Sequence, residues 1–534
     1  MNFLKRCWQK RWLRRLTWTV VTLTALIASL YAWVNASGAR QLRKVEAMLK
    51  AEGETLDFRE TMNEPVPEAE NFCAIPLLKD LALVVDNDAS KGAPGEKRKR
   101  LDRASLKRTT KDFGGQRSPR RGDSAESYRT DLKGWADWMR KDGSFPMTTD
   151  SGDAARDLLA GLAELDEIVQ ELASGFCRPK AQWTPEWKTR ELSATHFSDP
   201  NAHYSTIVAM YRTLALRIAA AAQTGEATKA HQDALVMVRF NQANLNEPLT
   251  IGLVIGITGV SFLQNSVWEL CITHTGTSED FAKIESALLG HDIRRAALRA
   301  FRSQIAANVY DIQCCKQNPE NFWSVGIGTQ RDDVPKKHKT ISLLAYRTIP
   351  LGFLDKSAAL LAEEEFKYFI KPLRDQGWRE VYQTSRKWED RLVEIKKTAK
   401  TNLTYFLLAQ TSGFFPSLIK NCVYQHALLN QAIIACALER HRIEKGSYPD
   451  SLDAVRLADG KPLPLDPINE KPMGYHKTSD GRYALWSVGF DGKDDGGKRS
   501  LNEIKSQKTF FKPQRTHFNS NDYLGDWVWD FPAE

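Results

Sequence analysis

Leu16–Val34 carries no charge, and at ~1.5 Å per residue a helix of that length crosses the hydrocarbon layer of a bilayer. A helix-compatible run, Gln41–Glu52, continues it. From Ala154 onward the apolar positions recur at helical spacing: Ile207, Tyr211, Leu214 and Ile218 fall four, three and four residues apart, as one face of an amphipathic helix requires. Glu226–Asn244, Ser278–Leu289 and Arg294–Cys314 repeat the pattern. After a polar stretch at Asn318–Lys339 it resumes over Leu354–Leu373 and Glu380–Lys400. The longest expected helix is Ser417–Lys445, opened by Pro416 and closed by Gly446. Its stripe of Leu418, Cys422, Leu429, Ile433 and Cys436 must face other helices. A second uncharged run, Pro248–Trp268, contains Gly252, Gly256 and Gly259 within a short apolar centre, which fits a tightly packed core helix better than a second span.

The pattern changes at Gly446. Ser447-Tyr448-Pro449-Asp450-Ser451-Leu452 starts a short helix, and Leu463-Pro464-Leu465-Asp466-Pro467 is an extended, proline-bracketed segment. Met473–Gly489 alternates as two strands turned at Ser479-Asp480-Gly481. The aromatic tail Tyr523–Trp529 reads as a last strand packing back on the body. The expected fold is therefore mainly α: an N-terminal transmembrane helix, a multi-helix extracytoplasmic array and a small α+β C-terminal cap. The expected divisions are 1–15 (basic N-terminus), 16–34 (anchor), 35–89 (membrane-proximal), 90–123 (basic insertion), 124–445 (helical body) and 446–534 (C-terminal module).

Charge sets the expected orientation. Lys5, Arg6, Lys10, Arg11, Arg14 and Arg15 precede the apolar run, so the positive-inside bias keeps the N-terminus in the cytoplasm and exports the rest. Trp12, Trp18, Tyr31 and Trp33 fall near the two ends, where amphipathic rings favour the headgroup level. The competing reading is a cleaved secretory signal, since Val34-Asn35-Ala36 and Ser37-Gly38-Ala39 put small residues near a cleavage point. The net charge of +9 is local. Lys91–Arg121 and the first fifteen residues hold all of the excess, so the body is not that of a nucleic-acid-binding protein. Residues 90–123 read as a disordered basic insertion suited to anionic lipid or cell-wall polymer, or as a solvated loop.

Strong catalytic patterns are missing: the chain has no HExxH, GxSxG, GxxxxGK[ST] or GxGxxG after a strand. Ser417-Leu418-Ile419-Lys420 matches the SxxK of acyl-transfer enzymes, but a helix-start role for the serine explains it more simply. His196 and His203 near Asp199 could share a metal, although turn and cap roles suffice. His426 and His441 are too far apart on one helix to do so. Eight scattered cysteines show no metal-ligand spacing. Free buried thiols are the expected state, and Cys422 and Cys436 cannot reach each other along a helix.

The order "GSYPDSL", "PLPLDP", "YALWSVG" and "FDGKDDGG" on the end of a long helix resembles the C-terminal end of the major pseudopilin of type II secretion systems, over about 60 residues from Ala437 to Gly497. It also resembles large bacterial exported proteins that carry this ending on an anchored helical body. The resemblance implies a calcium loop, with Asp491 in the G-x-D-G position and Asp494 and Asp495 as further oxygen donors; on chemical grounds three carboxylates on a Gly-rich turn suit a hard cation or, equally, a solvated acidic turn in which Gly permits positive φ. Residues 1–34 lack the pseudopilin leader, with its Gly before a Phe and its Glu at the fifth position, so assembly into a fibre is not expected. The functional expectation is a single-pass, membrane-anchored exported scaffold or interaction protein of the cell envelope, with a protein partner and no catalytic activity. The alternatives are an envelope hydrolase whose site gathers sequence-distant residues, or a secretion-machinery component.

Overall fold

The computed structural model describes residues 11–82, 129–142, 147, 150–183, 202–317, 349–498 and 525–531. Residues 90–123, His196 and Asp199 lie outside them, as does the side chain of His203. The chain opens with α1 (Arg11–Ala51), one unbroken helix that runs through the boundary drawn at residue 34. Arg14–Leu30 is exposed on every side. From Val34 the helix turns amphipathic: Val34, Gly38, Leu42, Val45 and Leu49 are buried, at spacings of four, four, three and four. That stripe lies along α10 (Gly352–Glu365).

The body continues with α2 (Leu132–Asp142), α3 (Ala154–Gly161), α4 (Glu164–Ser174), α5 (Ala202–Thr224), α6 (Ala227–Leu245), α7 (Thr250–Ile272), α8 (Ser278–Leu289) and α9 (Ile293–Gln317). After α10 come α11 (Trp378–Thr398) and α12 (Phe415–Lys445). Helix α7 sits centrally against α5, α6, α9 and α12, and its glycines make that approach achievable. A Cβ on Gly259 would lie 1.9 Å from Asn241 Nδ2, and one on Gly256 would lie 2.5 Å from Leu245 Cδ2. Asn241 then donates to the Gly256 carbonyl at 2.7 Å. Local signals fix the ends: Thr277 and Asp280 form a reciprocal capping box on α8, and Gly446 ends α12 in the left-handed region at φ 82°. A buried Arg217 on α5 clamps three helices, with Nε 2.7 Å and Nη2 3.0 Å from the Asp233 carboxylate on α6, and Nη1 2.7 Å from Asp166 on α4.

The C-terminal module is a three-stranded antiparallel sheet in the order β1 (Gly474–Lys477), β2 (Tyr483–Ser487), β3 (Trp527–Trp529). In register, Gly474 opposes Trp486 and Leu485 opposes Trp529. The sheet rests on α12, where Gln431 Nε2 donates to the Trp527 carbonyl at 2.6 Å and Tyr424 packs edge-on against Trp527. One hydrophobic core runs from Leu42–Leu49 of α1 to Trp527 and Trp529.

Two expected helices differ. Leu354–Leu373 is not one regular helix: the backbone widens to i→i+5 bonding over Phe366–Ile370 before Lys371–Asp375. Pro372 has no N–H and its ring would crowd the carbonyl four residues earlier, which the wider turn relieves. The helix expected from Ser447 shrinks to one 3₁₀ turn, Leu452–Ala454, with Ser451 Oγ accepting from Asp453 N. Tyr448 is drawn into the core instead.

Candidate functional site at the C-terminal module

Asp491, Asp494 and Asp495 lie on the turn that follows β2. Asp491 Oδ1 accepts the Lys493 N–H at 3.1 Å within its own loop. Asp494 Oδ1 accepts from Trp486 Nε1 and from Gly496 N, both at 2.9 Å. Gly496 and Gly497 both have positive φ, which curls the chain so that the Asp495 and Gly497 N–H groups donate to Asp526 Oδ2 at 3.1 and 2.7 Å. Asp526 is fully buried just ahead of β3, and its Oδ1 has no hydrogen-bond partner. Burial raises its pKa, and the neighbouring Asp494 and Asp495 carboxylates add to the rise. Among the described residues, no group of three or more His, Cys, Asp or Glu side chains is already gathered as a metal site. The turn thus brings Asp494 and Asp495 towards Asp526, a residue the sequence reading passed over, and leaves Asp491 in its own loop. The only local signal for Asp526 was its place between a glycine and the aromatic strand.

Three buried carboxylates seat the module. Glu439 on α12 accepts the Tyr448 hydroxyl and, at 2.9 Å, Arg442 Nε, while His274 Nδ1 stands 3.4 Å away. Burial drives the Tyr448 phenol far above its ordinary value. Glu285 on α8 accepts from Arg440 at 3.0 Å and from the Ala458 N–H at 2.5 Å. Asp466, of the "PLPLDP" segment, accepts from Ile468 N, Ser487 Oγ and Val488 N at 2.8, 3.0 and 2.9 Å. Each carboxylate satisfies backbone or side-chain donors that would otherwise be orphaned in the core, which is a structural task.

The remaining sequence candidates also resolve structurally. Ser417 is not a cap, because α12 begins at Phe415 with Phe414 as the flanking residue. Lys420 pairs with Glu389 at 2.7 Å. His426 is held neutral by burial, its pKa pushed down to about 4, and accepts the Trp378 indole N–H at 3.1 Å. The seven described cysteines are free.

Asp311 on α9 is different, since its Oδ1 is buried without a partner and burial alone raises its pKa to about 7. The folded-state pKa lies above the unfolded one, so the stability tied to this group is full below about pH 4 and is lost as pH rises through about 7. Asp311→Asn is expected to match wild type in thermal melts at pH 4 and to melt higher at pH 8, by an amount bounded by about 4 kcal/mol. Equal melting at pH 8 would show that the carboxyl is solvated.

Comparison with known protein families, characterised proteins and solved structures finds no match for this chain. The structure defines it as a mainly α protein with a small antiparallel sheet and an N-terminal apolar helix compatible with a signal anchor.

Proposed function

We propose that the chain is a single-pass, membrane-anchored exported scaffold or interaction protein of the cell envelope, with its N-terminus cytoplasmic and its body outside. One observation carries the reading: the exposed apolar part of α1 and the buried stripe Val34–Leu49 belong to the same rigid helix. Cleavage at Ala36 or Ala39 would cut that helix beside its Gly38 contact with α10, which favours an uncut anchor over a removed signal. The polar clusters are committed to packing, which supports a scaffold rather than a hydrolase. The test is fractionation with outside proteolysis: the intact chain should stay in carbonate-washed membranes, and protease added outside should leave a short N-terminal fragment. Recovery of the full-length chain as a soluble internal species overturns the proposal. A mature N-terminus at Ser37 or Gln41 overturns the uncut anchor.

Calcium is the ion we propose for the acidic turn, drawing Asp494 and Asp495 onto the free oxygen of Asp526. What supports it is the orphaned buried Oδ1 together with the density of carboxylate around it. Titrating the full-length protein with calcium in a calorimeter should give heat that Asp526→Asn abolishes and Asp491→Ala leaves largely intact. Heat unchanged by Asp526→Asn rejects this donor set.

A further inference from the structure

We propose that the body does not hang free of the membrane but sits on it, through a basic and apolar rim built by the N-terminus of α10 and the C-terminus of α11, and that the occupant of this rim is the anionic headgroup layer where α1 emerges. The inference rests on the reading of α1 as a membrane anchor.

Three contacts fix the level of the rim. Val34 closes the apolar run, and Gly352 N donates to Asn35 Oδ1 at 2.8 Å, so α10 starts where the anchor leaves the hydrocarbon. One turn on, Lys356 Nζ lies 5.3 Å from the centroid of the Trp33 ring and 5.9 Å from that of Phe353, a cation over rings at interfacial depth. Ser357 Oγ donates to the Thr404 carbonyl at 2.9 Å, which brings the turn after α11 to the same level. Helix α11 descends towards it: Arg391 pairs with Glu364 at the far end of α10, and the chain then runs to Thr404 beside the near end.

The composition of that level suits an anionic bilayer surface. Leu351 and Leu403 are 37% and 42% exposed beside Trp33 at 60%, which places apolar side chains at the depth where they can enter the headgroup boundary. Lys396 and Lys397 in the last turn of α11 and Lys400 just after it are exposed. Arg40 and Arg43 add exposed charge on α1 just past the span. Asp355, in the first turn of α10, is already engaged by Lys316 at 2.9 Å. Basic side chains this near an anionic surface attract it additively, and the rigid Gly38–Gly352 crossing fixes how far above the membrane they are held.

The experiment is hydrogen exchange on the full-length protein in nanodiscs of phosphatidylcholine alone and of phosphatidylcholine with phosphatidylglycerol. Expected are slower exchange over 351–356 and 396–405 in the anionic discs, no change over α8, and loss of the difference in a Lys396→Ser/Lys397→Ser/Lys400→Ser variant. Residues 16–34 should be protected in both kinds of disc. Protection of 16–34 with no lipid dependence at the rim overturns the rim proposal alone. Absence of protection over 16–34 overturns the anchor on which it rests. Slowing at the rim caused by added cell-wall polymer but not by phosphatidylglycerol overturns the choice of occupant.

Discussion

Gly38→Val is expected to unseat the N-terminal helix from the body. A Cβ on Gly38 would lie 2.1 Å from the carbonyl oxygen of Gly352 and 2.8 Å from its Cα, and a Cβ on Gly352 would lie 2.2 Å from the Val34 carbonyl oxygen. All of these are backbone atoms, so no side-chain rotation relieves the clash; α1 and α10 must move apart by more than about 1 Å. Overpacking of this kind costs on the order of 1–3 kcal/mol and more where the backbone itself must shift. The separation also strips the packing of Leu42, Val45 and Leu49. In detergent, Gly38→Val should melt several degrees below wild type and be cut by protease within residues 39–57, a segment expected to resist in wild type. Ala36→Val, on the exposed face of the same helix, should behave as wild type. Wild-type melting and proteolysis of Gly38→Val would mean that α1 does not dock on α10.

The second large effect is expected at Arg217. Replacing it with methionine leaves Asp233, which is fully buried, without its bidentate partner. Breaking a buried pair by removing one member costs about 3–5 kcal/mol, because the remaining charge has lost its compensation. Desolvation already raises Asp233 to about 6 despite the guanidinium beside it, and losing Arg217 raises it further, so the single variant should lose stability progressively as pH climbs above about 4, where the unfolded carboxyl ionises and the buried one cannot. The double variant Arg217→Met/Asp233→Leu removes both charges and should recover most of the loss, as apolar replacements of buried pairs do. Denaturant unfolding of the three proteins at pH 5 and pH 8 checks this. A single variant as stable as wild type at pH 8 would mean that the clamp contributes nothing to the packing of α4, α5 and α6.

How much was legible depended on how local the cause was. The ends of α12 followed from Pro416 and Gly446, and α8 matches the expected Ser278–Leu289. The β1–β2 hairpin followed from alternation around Ser479-Asp480-Gly481, and β3 from the aromatic tail. What escaped depended on partners far along the chain. Gly38 reads as part of a cleavage-like cluster of small residues until Gly352 is set against it, and the Asn35–Gly352 bond joins positions 317 residues apart. Asp526 escaped for the same reason: its partners Asp495 and Gly497 lie beyond a long intervening segment. Asp491 was favoured by motif position, and the structure shows one of its two oxygens accepting from Lys493.

The amino-acid order alone specified the helix content, the caps, the anchor-length apolar run and the strand-forming tail, because each follows from backbone preference and side-chain period within a few turns. The sequence already favoured a core role for the second apolar helix from its glycines and short apolar centre, and the tertiary structure supplied the contrast, with 6% of the first helix's apolar window buried and 56% of the second's. Hydropathy describes a side chain, whereas burial describes what surrounds it. The same rule made α1 a structural member of the body and not a tether: its second half is polar enough to pass as a linker, and only the helix packed along it reveals a buried face.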